Sequence, residues 1–160
     1  MSTKNDPYGE QVKLSPNHGG SISPKFIILH HSCGSYLGGI DWICNPESKV
    51  SYTYLINTDG ERTQLVWDSK RAWHAGKAYW QGVTDLNSHS IGISFINDTN
   101  TRELTQDEID SCAYKCVYLM RKFFLPIENI LTHQMIAPNR KNDCSTKAHN
   151  QVIERIKQLS

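Results

Sequence analysis

The segment Lys25-Phe-Ile-Ile-Leu-His30 constrains this chain more than any other. Its nearly continuous, β-branched apolar run fits a strand buried on both faces, and such a strand needs covering layers above and below. His30 and His31 emerge at its C-terminal end. Ser90-Ile-Gly-Ile-Ser-Phe-Ile96 reads as a second buried strand, and Asn129 to Thr132 as a short one that ends at His133. Val50 to Asn57 and Glu61 to Val66 flank the turn signal Thr58-Asp59-Gly60 and predict a hairpin, with Tyr52 and Tyr54 on one face of its first strand.

Helices fill the intervals. Gly38 to Cys44 can form a short one. Thr105-Gln-Asp-Glu108 is a capping box that opens a longer helix carrying Ile109, Cys112, Cys116 and Met120 at helical spacing and stopping before Pro126. Lys147 to Leu159 closes the chain with Val152, Ile153, Ile156 and Leu159 facing inward. Strands alternating with helices predict an α/β fold, a single domain with a mixed central β-sheet flanked by helices. With 160 residues there is material for one such domain. Residues 1 to 23 are polar and rich in Gly, Pro, Ser and Asn, and predict an arm lying on the domain formed by residues 24 to 160. Lys70 to His89 has no clear period and reads as an irregular loop with aromatic anchors.

Several function classes are set aside by charge and hydropathy. Seventeen Lys and Arg against sixteen Asp and Glu give no electrostatic case for nucleic acid or anionic lipid as partner. The first twenty residues contain no apolar run of the kind a signal peptide or membrane span requires, so the expectation is synthesis in the cytoplasm and no membrane span. Five cysteines, Cys33, Cys44, Cys112, Cys116 and Cys144, are an odd number without the dense spacing of a disulfide scaffold, which fits a reducing compartment. A small near-neutral domain gives no reason to expect more than a monomer.

Strand ends and loops are where metal ligands converge, and a catalytic zinc takes three nitrogen or oxygen ligands while leaving one position open. His30, His133 and Asp143 can supply that set, since two leave predicted strand ends and the third follows a Pro-containing loop.

Five motifs extend this reading. They are Phe-Ile-Ile-Leu-His30-His-Ser32, Val50-Ser-Tyr-Thr-Tyr-Leu-Ile-Asn-Thr-Asp-Gly60, Arg71-Ala-Trp-His-Ala-Gly76 with Trp80, Asn87-Ser-His-Ser-Ile-Gly-Ile93, and His133-Gln-Met-Ile-Ala-Pro-Asn-Arg-Lys-Asn-Asp143. From Ser15 to about Ser145 the chain resembles the amidase-2 family of N-acetylmuramoyl-L-alanine amidases, which also includes amidase-type phage lysozymes, muropeptide amidases and peptidoglycan-recognition proteins. The resemblance implies Zn2+ held by His30, His133 and Asp143, with His31 a bystander. It implies Lys141 and Tyr52 as catalytic residues, and Trp73, His74, Trp80 and Asn87 as substrate-binding residues of the groove. The implied activity is hydrolysis of the amide between N-acetylmuramic acid and L-alanine in peptidoglycan or its fragments. A phage endolysin or other wall-degrading enzyme, a cytoplasmic muropeptide-recycling amidase and a catalytically silent recognition module are the roles it leaves open.

Two positions depart from the family pattern. Ser94 stands where many members carry a glutamate used as general base. Cys144 stands where a proline usually follows the acidic ligand, and because thiolate is a good zinc ligand it competes with Asp143. The spacing from His133 favours Asp143.

Overall fold

The computed structural model describes residues 5–160, so residues 1–4 of the expected arm lie outside the described residues. Strand β3 (Phe26–His31) lies inside a six-stranded sheet. On one side it pairs in parallel with β9 (Ser90–Phe95), and on the other with β10 (Ile130–Thr132). Beyond β9 come β4 (Tyr54–Ile56), parallel to β9, then β5 (Arg62–Gln64), antiparallel to β4, then β1 (Glu10–Val12), parallel to β5. The sheet is therefore mixed, and the expected α/β domain is the one found.

Side-chain alternation along β3 and β9 divides the interior in two. Ile27 and Leu29 of β3 and Ile91, Ile93 and Phe95 of β9 point to one face, where helices α2 (Gln106–Phe123) and α4 (Thr146–Leu159) cover them with Cys112, Cys116, Val117, Val152 and Ile156. Phe26 and Ile28 point to the opposite face and meet Leu86, Leu131 and Ile136. His30 continues that second series, so the same alternation that buries the core residues aims His30 away from it. A third cluster, Ile40, Ile43, Leu55, Leu65 and Ile96, lies under helix α1 (Tyr36–Cys44).

The helix boundaries have local causes. Thr105 accepts from the Glu108 backbone N–H while the Glu108 carboxylate accepts from the Thr105 N–H, completing the capping box. Phe124 ends α2 in a left-handed conformation with φ 56°, and Pro126 prevents its resumption. Ser145 caps α4 by accepting from the Ala148 N–H.

Three expectations need correction. The hairpin's first strand is only three residues long, because the chain bends at Thr53. Tyr52 and Tyr54 consequently do not share a face: Tyr54 packs in the α2 core, whereas Tyr52 lies against the α1 cluster and the cleft. Residues 70 to 89 are also more regular than their sequence suggests. They contain β6 (Lys70–Ala72), the hairpin β7 (Tyr79–Trp80) and β8 (Val83–Thr84), and a 3-10 turn at Leu86–His89. Finally, the polar arm contributes two strands, β1 on the sheet edge and β2 (His18–Ser21) antiparallel to β6.

Ion pairs hold that arm where apolar side chains could not. Arg62, 2% exposed, donates to Asp6 at 2.6 Å, to Glu10 at 2.9 Å and to the Ser111 carbonyl at 3.1 Å. Lys115 adds a second cation to Glu10 at 2.9 Å. Removing Arg62 leaves Asp6 without its partner and an empty space beneath β5. Arg62→Ala is expected to lower unfolding free energy by about 2 to 3 kcal/mol, below the range for fully buried pairs because both acids are partly hydrated. Urea denaturation of the variant beside the parent protein measures this.

Candidate metal centre

His30 leaves the C-terminal part of β3, and His133 opens the short helix α3 (His133–Ile136) directly after β10. Because β3 and β10 are parallel neighbours, both histidines arrive at the same end of the sheet. Asp143 reaches that point from the loop that follows, where its backbone carbonyl accepts from the Gln134 N–H at 2.6 Å. The ligand atoms of these three residues lie within 4.8 Å of one another, and all three residues are buried.

Hydrogen bonds fix which ring nitrogens face inward. His133 Nε2 stands 2.9 Å from the Ala75 carbonyl, which can only accept, so Nε2 carries the proton and Nδ1 a lone pair. The same logic runs through a longer chain to His30. Ser90 donates its hydroxyl to the Leu86 carbonyl at 2.6 Å and therefore accepts from His74 Nε2 at 3.1 Å. His74 Nδ1 is left as an acceptor for His30 Nε2 at 2.8 Å, and His30 Nδ1 also keeps a lone pair. The two Nδ1 atoms face each other at 3.0 Å. Asp143 adds oxygens 3.5 Å from His30 Nδ1 and 3.4 Å from His133 Nδ1.

Apart from the His31 backbone N–H, which donates to Asp143 Oδ2 at 3.3 Å, these three acceptors face one another without a proton between them, an arrangement that calls for a cation. Zinc bonds of about 2.0 to 2.2 Å at tetrahedral angles separate ligand atoms by roughly 3.3 to 3.6 Å; the two Asp143 separations lie in that range, and the Nδ1 pair, at 3.0 Å, would have to open slightly. The electrostatics agree with ligands in their metal-binding forms. Burial, together with the neighbouring His133, lowers His30 to about 4 against the raising effect of Asp143. Burial also holds His74 well below the usual imidazole range.

The competing ligand is in the core. Cys144 is fully buried among the α2 and α4 side chains, and burial followed by the charge of Asp143 pushes its thiol up to about 12. It belongs to the opposite side of the sheet from the metal group. Cys112 and Cys116 lie beside each other in the same core, Sγ to Sγ 4.0 Å. His31 points away from the cluster as well, with its ring bonded to Thr99 at 2.8 Å and 3.4 Å from Asp98.

A cleft opens above the metal group, and Tyr52, Trp73, His74, Asn87 and Lys141 all line it. The Tyr52 ring lies 5.1 Å from the His30 ring, and burial raises its phenol above the ordinary tyrosine range. Lys141 is exposed at the cleft edge, with its charge close enough to disfavour protonation of His30. Asn87 holds the cleft wall through its side-chain oxygen, which accepts from the His74 and Ala75 N–H groups at 3.0 and 2.8 Å. Trp80 is not brought to this cleft: it packs on the cluster of Phe26, Ile28 and Leu86 and anchors the β7–β8 hairpin. Ser94 faces Ser32 across 2.9 Å, and Asp143 is the only acid among the described residues lining the cleft.

The sequence model of the N-acetylmuramoyl-L-alanine amidases, Amidase_2, matches residues 20–146. The chain belongs to this family. The chain is 38% identical over 94 residues to 1,6-anhydro-N-acetylmuramyl-L-alanine amidase AmpD of Enterobacter cloacae, a match covering 59% of this chain and 50% of the relative. It is 48% identical over 68 residues to N-acetylmuramoyl-L-alanine amidase A of Achromobacter lyticus, covering 42% of this chain and 34% of the relative. The chain thus spans about half the length or less of these curated relatives. Among solved structures, a selenomethionine AmpD derivative superposes with a TM-score of 0.77 at 26% identity, covering 94% of this chain and 93% of that chain.

Ser90, the Ala75 carbonyl and Arg140 join this site without having been singled out in the sequence. The pattern Ser90-Ile-Gly92-Ile-Ser94 carried a usable signal, since its small residues alternate with large ones and so leave room on one face only. A Cβ on Gly92 would lie 2.6 Å from the His74 ring. Gly92→Ala is therefore expected to displace His74 and weaken zinc binding about 10- to 100-fold, read by competition with a chelator of known affinity. In the same assay Cys144→Ala should bind zinc as the parent does, whereas Asp143→Asn should not.

Proposed function

We propose that this chain is a zinc-dependent amidase that hydrolyses the bond between N-acetylmuramic acid and L-alanine in soluble peptidoglycan fragments. The observation that carries this reading is the buried His30–His133–Asp143 group, whose His133 and Asp143 line a cleft edged by Tyr52 and Lys141. Zinc would supply Lewis-acid polarisation of the scissile carbonyl and a water made acidic near neutral pH.

The protein's own part is positioning and charge. His30, His133 and Asp143 would hold the ion, two neutral ligands and one anion, while the chain through His74 and Ser90 keeps the His30 ring from rotating. Lys141 offers a cation to the oxyanion that develops as the amide carbonyl is attacked. The Tyr52 phenol, kept protonated by burial, donates a hydrogen bond to the same region or to the attacking water. With Ser94 in place of an acid, no second carboxylate in the cleft can take a proton from water. Trp73 forms a wall beside these groups and gives the sugar or peptide an apolar surface.

Fragments are favoured over intact wall because the AmpD relatives are named for 1,6-anhydro substrates. Such a substrate suits a muropeptide-recycling role better than that of an endolysin. The deciding experiment incubates the protein with anhydro-muropeptides and, separately, with intact peptidoglycan, with and without a chelator, and reads the products by mass spectrometry. Chelator-sensitive release of free peptides beginning at L-alanine is expected, faster from the fragments. Binding without release would replace the enzyme by a recognition module, and faster release from intact wall would restore the endolysin. His30→Ala should lose zinc and turnover together, whereas Lys141→Ala should retain zinc and lose about a hundredfold in kcat.

A further inference from the structure

Arg140 stands between Asn139 and Lys141, within the loop that carries Asp143, yet its side chain reaches across to the loop that follows β6. One of its terminal nitrogens, Nη2, donates to the Ala75 carbonyl at 2.7 Å and to the Lys77 carbonyl at 2.9 Å. The Ala75 carbonyl is the same group that accepts from His133 Nε2 at 2.9 Å. A carbonyl oxygen has two lone pairs, and here both are used, one by the guanidinium and one by the imidazole. The preceding peptide unit is held as well, since the Ala75 N–H donates to the Asn87 side-chain oxygen at 2.8 Å.

Gly76 completes the contact. It lies between the two accepting carbonyls at φ +60°, and a Cβ there would stand 2.9 Å from Arg140 Nη2. Only a residue without a side chain lets the guanidinium lie on this turn at hydrogen-bond distance. The residue before Ala75 is His74, whose ring holds His30. A single clasp thus bears on the supports of both histidines of the metal group.

We propose that Arg140 is a positioning residue that fixes the Ala75 carbonyl, and through it the tautomer and orientation of His133, so that both Nδ1 atoms are presented to the metal. This rests on the zinc-amidase reading above, and its clearest readout needs neither metal nor turnover. Without the guanidinium the 75–77 loop is free to turn its carbonyl away. His133 Nε2 then loses its acceptor and the ring can place its proton on Nδ1, the nitrogen that must ligate.

The test compares the parent protein with Arg140→Ala and Arg140→Lys, the latter keeping the charge while losing the planar fork. Long-range proton–nitrogen NMR of the metal-free proteins reports the His133 tautomer directly. Chelator competition with zinc reports affinity, and thermal unfolding shows that each variant is folded. The expected result is a single Nε2–H tautomer in the parent, a mixture in Arg140→Ala with zinc affinity lowered about 10- to 100-fold, and an intermediate position for Arg140→Lys. An unchanged tautomer signal in a folded Arg140→Ala protein would overturn the proposal. Zinc affinity within twofold of the parent would do the same. A parent protein that binds no zinc would instead defeat the metal reading, while the tautomer signal would still decide what Arg140 does.

Discussion

Two imidazole nitrogens held 3.0 Å apart, each deprived of its proton by a hydrogen-bond chain ending on a backbone carbonyl, form the constraint to which the rest of this structure answers. Such a pair costs free energy unless a cation lies between its lone pairs, and the nearby Asp143 supplies the compensating negative charge. Holding it requires rigid elements on both sides. Parallel pairing of β3 and β10 brings the two histidines to one end of the sheet, and the fully covered β3–β9 pair beneath keeps that end from yielding.

Strand alternation connects this site with the core. Along β9 the core-facing residues are Ile91, Ile93 and Phe95, while the site-facing ones are Ser90, Gly92 and Ser94. Large side chains on one face bury the apolar area that stabilises the domain, and small ones on the other leave the volume that the His74 ring occupies. Asp143 and Cys144 show the same division in two consecutive residues, one carboxylate on the metal side and one thiol in the apolar interior. A thiol whose ionisation is opposed so strongly by burial is a packing residue, whatever its intrinsic liking for zinc.

How much of this was legible in the sequence depended on where each interaction is encoded. The buried strands and the capping box of α2 could be read because side-chain pattern specifies them, whereas strand ends and a loop made His30, His133 and Asp143 only a modest signal until the family resemblance singled them out. Other features depend on backbone. The bend at Thr53 turns Tyr52 away from Tyr54, and nothing in a Tyr-Thr-Tyr alternation announces it. The strands of the arm are held by main-chain pairing and by Arg62, so a test that asks for apolar residues passes over them. Arg140 was missed for a related reason. Its partners are the carbonyls of Ala75 and Lys77, and carbonyls carry no signature in residue identity.

The absence of a second acid in the cleft shapes what the remaining groups must do. With Asp143 placed against the two histidines, the protic groups near it include the Tyr52 phenol, the Lys141 ammonium and the paired hydroxyls of Ser32 and Ser94. Burial raises the phenol above the ordinary tyrosine range, so in the proposed reaction it would serve as a donor. A site of this composition is built to stabilise negative charge on oxygen more than to remove a proton from water. With zinc bound as proposed, the rate would depend on the acidity the ion lends to its water, and so on ligands that stay neutral and correctly turned. On that proposal, the weight thrown onto ligand geometry accounts for the hydrogen bonding from Ser90 and His74 on one side and Ala75 and Arg140 on the other, which lies outside His30, His133 and Asp143 themselves.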